Sequence, residues 1–145
     1  MSESAVRPAA VGDAADIHAL MLKLAADIPL TLDTLEQEEA LYAALRKILA
    51  FGQSWIALDG AAVVGFALVD SAETGRHWGE DELLTLRYAA GDAVYSLIGK
   101  VLERRVPIAA SVRDANRTGL AARLEALGFG KVASPLGEQR FRHEP

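Results

Sequence analysis

The sequence predicts a mixed α/β domain with the element order βααβββαβαββ. Three observations predict it. Apolar residues recur at helical spacing in several segments, apolar runs of strand length lie between them, and the stretch Val106 to Phe129 joins strand, polar turn, helix and stop in one piece.

Taken in order, Ala5, Val6 and Arg7 lead into Pro8 as a short edge strand that the proline helps to end. A helix follows with Asp13 as its cap, and Ile17, Leu20, Met21 and Leu24 fall at i, i+3, i+4 and i+7 on one apolar face. Ile28 to Asp33 reads as a loop. Asp33 with Glu36 three residues on forms a capping-box-like start to a second helix, which runs to about Ala50 and is closed by Gly52. Its buried stripe is Leu41, Leu45, Ile48 and Leu49, while Glu36, Glu38, Glu39, Arg46 and Lys47 face water. Ser54 to Leu58 and Ala62 to Val69 are strands, and Asp59-Gly60 between them signals a hairpin. Ser71 to Asp81 is polar and reads as a loop, and Leu83 to Ala89 is the next strand.

Asp92 to Arg105 carries Val94, Leu97, Ile98, Val101 and Leu102 at helical spacing. Ile108 to Val112 is a buried strand. Asn116, a good N-cap, opens a helix with Leu120, Leu124 and Leu127, and Gly128 fits the left-handed position that ends it. Lys131 to Ser134 and Gln139 to Arg142 are short strands around the turn Pro135-Leu136-Gly137.

Composition narrows the function classes. The chain has 145 residues, which suits one domain over 1–145 with no room for a second. A 24% charged and 51% apolar content is that of a globular protein. With no cysteine, thiolate metal sites and a cysteine nucleophile are excluded, and three dispersed histidines do not suggest a metal centre. The net charge of -5 and scattered Lys and Arg argue against nucleic acid. The first residues lack the basic start and apolar core of a signal peptide, and no apolar run approaches the ~20 residues of a membrane span. The expectation is a cytoplasmic protein with no membrane partner.

The order of these parts resembles the GNAT acyl-CoA N-acetyltransferases along the whole chain. The opening Arg7-Pro8-Ala9 with an acidic cap, the unit Ser54 to Val69, and the run from Val112 through Asn116 to Leu127-Gly128-Phe129 carry the resemblance. It implies a central, mostly antiparallel sheet with helices on both faces, and acetyl-CoA as acetyl donor. Gly91, Asp92 and Ala93 match the G-x-A end of the family's phosphate-binding signature, although the leading basic residue is displaced to Arg87 and the loop is several residues short.

By the same resemblance, cofactor contacts fall on Leu86, Arg87, Tyr88, Ala89, Gly91, Asp92, Ala93, Val94 and Asn116. Asn116 lies on the pantetheine side, a role compatible with capping a helix. Asp92 is read either as an ordinary N-cap or as a carboxylate that competes with phosphate for the helix amides. A main-chain amide within Leu86 to Ala89 is expected to face the thioester oxygen. For the base, Glu82 comes first and Glu80 second, with His77 and Asp81 nearby in the same charged cluster. The family's tyrosine before Leu-Gly-Phe is replaced by Leu124, or by Arg123 if the count starts at Asn116, and Tyr88 or Tyr95 are the substitutes. His18 and His143 read as surface groups.

The function expected is an N-acetyltransferase that acts by direct attack of a small-molecule or protein amine on acetyl-CoA. The alternative is a GNAT-fold binding or regulatory protein with weak or lost catalysis. Assembly through the C-terminal strands, as a homodimer, is left open.

Overall fold

The computed structural model describes residues 5–24, 35–71, 84–113, 119–132, 134 and 136–144. Seven strands form one sheet: β1 (Ala5–Pro8), β2 (Trp55–Asp59), β3 (Ala62–Ser71), β4 (Leu84–Gly91), β5 (Ile108–Arg113), β6 (Gly130–Val132) and β7 (Glu138–His143). Their order across the sheet is β1-β2-β3-β4-β5-β7-β6. Among the described strands only β4 and β5 pair in parallel; the other neighbours are antiparallel. The helices are α1 (Ala14–Lys23), α2 (Leu35–Phe51), α3 (Val94–Leu102) and α4 (Leu120–Ala126). The expected mixed, mostly antiparallel sheet flanked by helices is what the chain forms.

The central strands are buried on both faces, so alternate residues feed two cores. From β3, Phe66 and Leu68 pack with Ile17 and Met21 of α1 and Leu45, Ile48 and Leu49 of α2. Ala67 and Val69 point the other way, into a core with Leu97, Ile98 and Val101 of α3, Leu124 of α4 and Phe141 of β7. The sheet surface in this second core includes Ala57, Ala67 and Ala89. Small residues on a strand leave room for large ones on a helix, which is how a filled interior reaches crystal-like density.

The hairpin between β2 and β3 turns at Gly60 with φ 62, as Asp59-Gly60 predicts. Gly52, with φ 84, ends α2. Gly128, with φ 95, ends α4, where its N–H donates to the Glu125 carbonyl at 3.1 Å and the Phe129 N–H to the Leu124 carbonyl at 3.0 Å. That pair of bonds is a Schellman stop, and it swings Phe129 into the core beside Leu124. Ser54, just before β2, is buried and satisfies two neighbours. Its hydroxyl accepts from the Val69 N–H at 3.0 Å and its carbonyl accepts from the Ala9 N–H at 2.9 Å, so one residue ties β3 to the end of β1.

Three details differ from the sequence reading. Asp13 does not cap α1 with its side chain. Its carboxylate instead accepts two bonds from the Arg7 guanidinium, at 2.9 and 2.8 Å, and one from the Ala10 N–H at 2.8 Å, joining the edge strand to the turn before α1. The helix expected over Asp92 to Arg105 is shorter, Val94–Leu102, because β4 extends to Gly91 and Arg105 takes a left-handed φ of 55. The helix expected from Asn116 is described from Leu120, with Gly119 at its N-cap position and φ 73. Asn116 lies outside the described residues.

The guanidinium of Arg7 holds the Asp13 carboxyl below its ordinary range, with the Ala10 N–H helping and partial burial opposing. A carboxyl lowered by folding contributes stability that is present above its unfolded pKa and lost as pH falls through its folded one. The unfolding-midpoint gap between wild type and Asp13→Asn should therefore be full at neutral pH. It should close only below the ordinary carboxylate value of ~3.9. Urea titrations across pH measure this, and a gap independent of pH would refute the clamp.

Candidate functional site

The site begins with one extra residue in β4. Tyr88 pairs with Leu68 and Leu86 with Val69, so Arg87 has no partner of its own across β3 and forms a bulge. The bulge inverts the facing of the strand. Leu84 and Leu86 point into the α3 core, whereas Tyr88 and Ala90 point to the α1–α2 side and Ala89 returns to the α3 side. A regular strand would have put residues 86, 88 and 90 on one face.

Beyond the bulge, β4 and β5 part. Their parallel pairing covers only Leu84, Thr85 and Leu86 against Ile108, Ala109 and Ala110. From there β4 stays with β3 as far as Gly91, while β5 stays with β7 as far as Arg113. The Asp92 N–H donates to the Val64 carbonyl at 2.8 Å, which makes that a hydrogen-bonded pair. Antiparallel bonding alternates, so Ala90 and Tyr88 also turn their backbone groups to β3, and Ala89 turns its N–H toward the opening. A main-chain amide thus faces the gap with no described strand opposite it.

The start of α3 adjoins the same end of β4. Only Asp92 and Ala93 separate strand from helix. Ala93 holds the N-cap position in a left-handed conformation, φ 61 and ψ 22, and no side chain caps the helix. The first intrahelical bond runs from the Leu97 N–H to the Ala93 carbonyl at 3.0 Å, leaving the amides of Val94, Tyr95 and Ser96 without a helical acceptor. Asp92 is exposed and its carboxylate does not bond these amides, so neither its reading as an N-cap nor that as a competitor for the amides holds.

Two glycines permit this tight junction. A Cβ on Gly65 would collide with the Asp92 carbonyl oxygen, and one on Gly91 with the Val64 carbonyl oxygen and, at 2.8 Å, with the Gly65 Cα. Gly91 also has φ 88. The G-x-A pattern is therefore met in this chain by a backbone-on-backbone contact with β3.

Positive charge near this helix start comes from Arg87, which the phosphate signature pointed to out of register, and from Arg123, which motif spacing did not single out for that role. The Arg123 guanidinium of α4 stacks over the Tyr95 ring, in the first turn of α3, at 5.7 Å from its centre. Arg123 is half-buried and has no carboxylate partner among the described residues, and Arg87 is exposed at the bulge. Position alone could have suggested Arg123, since it lies on the helical face of Leu120 and Leu127, but nothing in the sequence pairs it with Tyr95.

The structure thus brings Leu86, Arg87, Tyr88, Ala89, Gly91, Asp92, Ala93 and Val94 along one strand end and helix start. Tyr88 and Tyr95 separate, the first facing the α1–α2 core and the second sitting on α3. Glu80, Glu82, His77, Asp81 and Asn116 lie outside the described residues. No group of side chains suited to hold a metal ion occurs among the described residues, and no described helix is long and apolar enough to cross a membrane.

No protein-family model matches the sequence, and no curated protein matches it either. Solved structures do match in shape. A polyamine N-acetyltransferase from Drosophila melanogaster superimposes with a TM-score of 0.75 at 12% identity, over 99% of this chain and 100% of the other. A diaminobutyrate acetyltransferase from Paenibacillus lautus, in complex with diaminobutyric acid and coenzyme A, gives 0.69 at 14% identity over 100% and 96%. A GNAT-family acetyltransferase from Bacillus cereus gives 0.65 at 14% identity over 99% and 98%. The likeness is one of fold and spans the whole chain, which has the fold of the GNAT acetyltransferases.

Replacing Gly65 by Ala should lower stability by roughly 2 kcal/mol or more, because the added methyl meets backbone that cannot swing aside. Thermal and urea unfolding measure it. An unchanged midpoint would show that β3 and the start of α3 are not held this close.

Proposed function

We propose that this chain, as one domain over residues 1–145, is an N-acetyltransferase that moves an acetyl group from acetyl-CoA to an amine by direct attack. The observation that carries the reading is the gap between β4 and β5, with the Ala89 amide turned into it and the uncapped start of α3 beside it. Acetyl-CoA supplies an activated acyl carbon on a leaving thiolate.

The residues at the gap suit that donor. Uncapped amides of Val94, Tyr95 and Ser96 and the helix dipole favour a pyrophosphate at the α3 start. Arg123, poised over Tyr95, adds the cation that the family signature would carry at the missing loop position. Ala89 donates its N–H to the thioester oxygen, where negative charge develops as the amine attacks. Glu82, with Glu80 second, takes the proton the ammonium must lose, directly or through one water. The C–N bond forms as the C–S bond breaks, a thiol of pKa ~8.5 leaves as thiolate without an obligatory acid, and the second proton shed by the nitrogen passes to that thiolate or to solvent. Tyr88, on the α1–α2 face of β4, then belongs to the acceptor's wall, with Asn116 retained for the pantetheine side. The acceptor class is an amine, and the polyamine and diaminobutyrate substrates of the fold neighbours agree with a small cationic one.

A second reading keeps the fold and drops efficient catalysis. The two-residue junction at Asp92 and Ala93 and the negative charge of Asp92 favour it, since both weaken a polyanion site. Calorimetric titration with acetyl-CoA separates the two, and no heat at millimolar donor would sink the enzyme reading. Where binding is seen, Asp92→Asn should tighten it about two- to fivefold by removing a charge near the phosphates. Arg123→Ala should weaken it about tenfold or more. Unchanged affinity in both variants would mean the phosphates lie elsewhere.

The base assignment has its own test. Glu82→Gln should cut kcat about a hundredfold at neutral pH while leaving donor affinity as in wild type. A rate that stays near wild type would transfer the role to Glu80 or to solvent.

A further inference from the structure

The two helices beside the gap grow from the two strands that part. α3 follows β4 and α4 follows β5, and beyond Leu86 and Ala110 those strands are no longer paired. The helices share one apolar core through Val94, Leu97, Leu120 and Leu124. Outside that core the Arg123 guanidinium of α4 reaches across to the Tyr95 ring of α3, 5.7 Å from its centre. A polar contact therefore bridges the elements that the gap separates.

This contact differs from the other ring contact between helices. His18 of α1 meets Tyr42 of α2 edge-on, with ring centres 5.3 Å apart and its Nε2 buried. That contact is packing, and it corrects the expectation that His18 is a surface group. Tyr95, by contrast, is 45% exposed and belongs to neither apolar core. An arginine over a ring face is held by the ring quadrupole, so its N–H groups stay available to an acceptor. Those of Arg123 have none among the described residues.

The junction before α3 explains why such a bridge is needed. Asp92 and Ala93 are its two residues, and neither is basic, so a cation for a polyanion has to come from another element. A long side chain on α4 reaches the place only if its rotamers are restricted, and a ligand that ordered it alone would lose affinity to that entropy. The ring restricts it beforehand. We propose that Tyr95 is a positioning residue for the donor: it holds Arg123 across the gap at the open start of α3, and through Arg123 it favours a phosphorylated thioester over a bare pantetheine one. The proposal rests on the acetyl-CoA reading above. It uses the ring of Tyr95 and not its hydroxyl, unlike the leaving-group role that the sequence offers this residue.

The test titrates acetyl-CoA and S-acetylpantetheine, which ends before the phosphates, into the full chain without an acceptor, with binding followed by NMR. Wild type should hold acetyl-CoA about tenfold or more tighter than the phosphate-free thioester. Tyr95→Leu changes an exposed side chain and should unfold at the wild-type urea midpoint. It should weaken acetyl-CoA about three- to fivefold and leave S-acetylpantetheine as in wild type, whereas Tyr95→Phe keeps the ring face and should bind acetyl-CoA as wild type does. In an Arg123→Ala background Tyr95→Leu should cost nothing further, because the ring acts through the guanidinium. An acetyl-CoA affinity untouched by Tyr95→Leu, an equal loss for both thioesters, a Tyr95→Phe variant as weak as Tyr95→Leu, or a Tyr95→Leu loss that persists in Arg123→Ala would overturn the positioning role and leave the acetyl-CoA reading standing. Wild type that does not bind acetyl-CoA at all would remove that reading, and the role of Tyr95 with it.

Discussion

Much of this molecule depends on a single supernumerary residue, Arg87 in β4. Strand geometry allows each position only one of two faces, and an insertion of one residue exchanges them for everything that follows. Before the bulge, β4 serves the α3 core through Leu84 and Leu86; after it, Tyr88 and Ala90 serve the α1–α2 core. The added local twist also aims the strand away from β5, so the change of facing along β4 and the gap share one cause. A regular β4 would have closed against β5 and left no free amide.

The second constraint is the closeness of backbones at the far end of β4. Gly65 and Gly91 allow the Val64 carbonyl to reach the Asp92 amide, and this fixes the height at which the strand stops and α3 begins. Ala93 absorbs the reversal with a left-handed conformation that a non-glycine residue adopts at some cost. In exchange the first turn of α3 is left open, with no side chain occupying its amides. Local strain and an unsatisfied helix start occur side by side, a combination that stability alone would not favour.

Most of the fold was legible in the sequence because hydrophobic period and turn chemistry agreed. Val94, Leu97, Ile98 and Val101 marked α3, Asp59-Gly60 marked the hairpin, and Leu127-Gly128-Phe129 marked the end of α4. The bulge was not legible. Tyr88, Ala89 and Ala90 are all compatible with burial, so no polar residue revealed the change of phase after Leu86. Asp92 misled because a carboxylate before an apolar stripe is an ordinary capping signal, whereas here the strand runs on to Gly91 and the cap position passes to Ala93. Arg123 over Tyr95 and His18 against Tyr42 are contacts between elements distant in sequence, and periodicity within one element carries no record of them.

The strand order at the C-terminal edge has a consequence for how the chain reaches this state. β7 comes after β6 in sequence yet lies between β5 and β6, pairing with Ile108 to Arg113 on one side and Gly130 to Val132 on the other. Until residues 138–143 are in place, β5 is a bare edge, β6 has no partner, and the space that Phe141 fills is empty. The β5–β7 pairing is non-local, and its loop entropy must be met before it rewards the chain, so closure of this half of the sheet is a late event in folding even though β6 and β7 form a local hairpin. During synthesis the apolar run Ile108 to Val112 would meanwhile be an open template for strand addition, and protecting it falls to whatever shields the nascent chain.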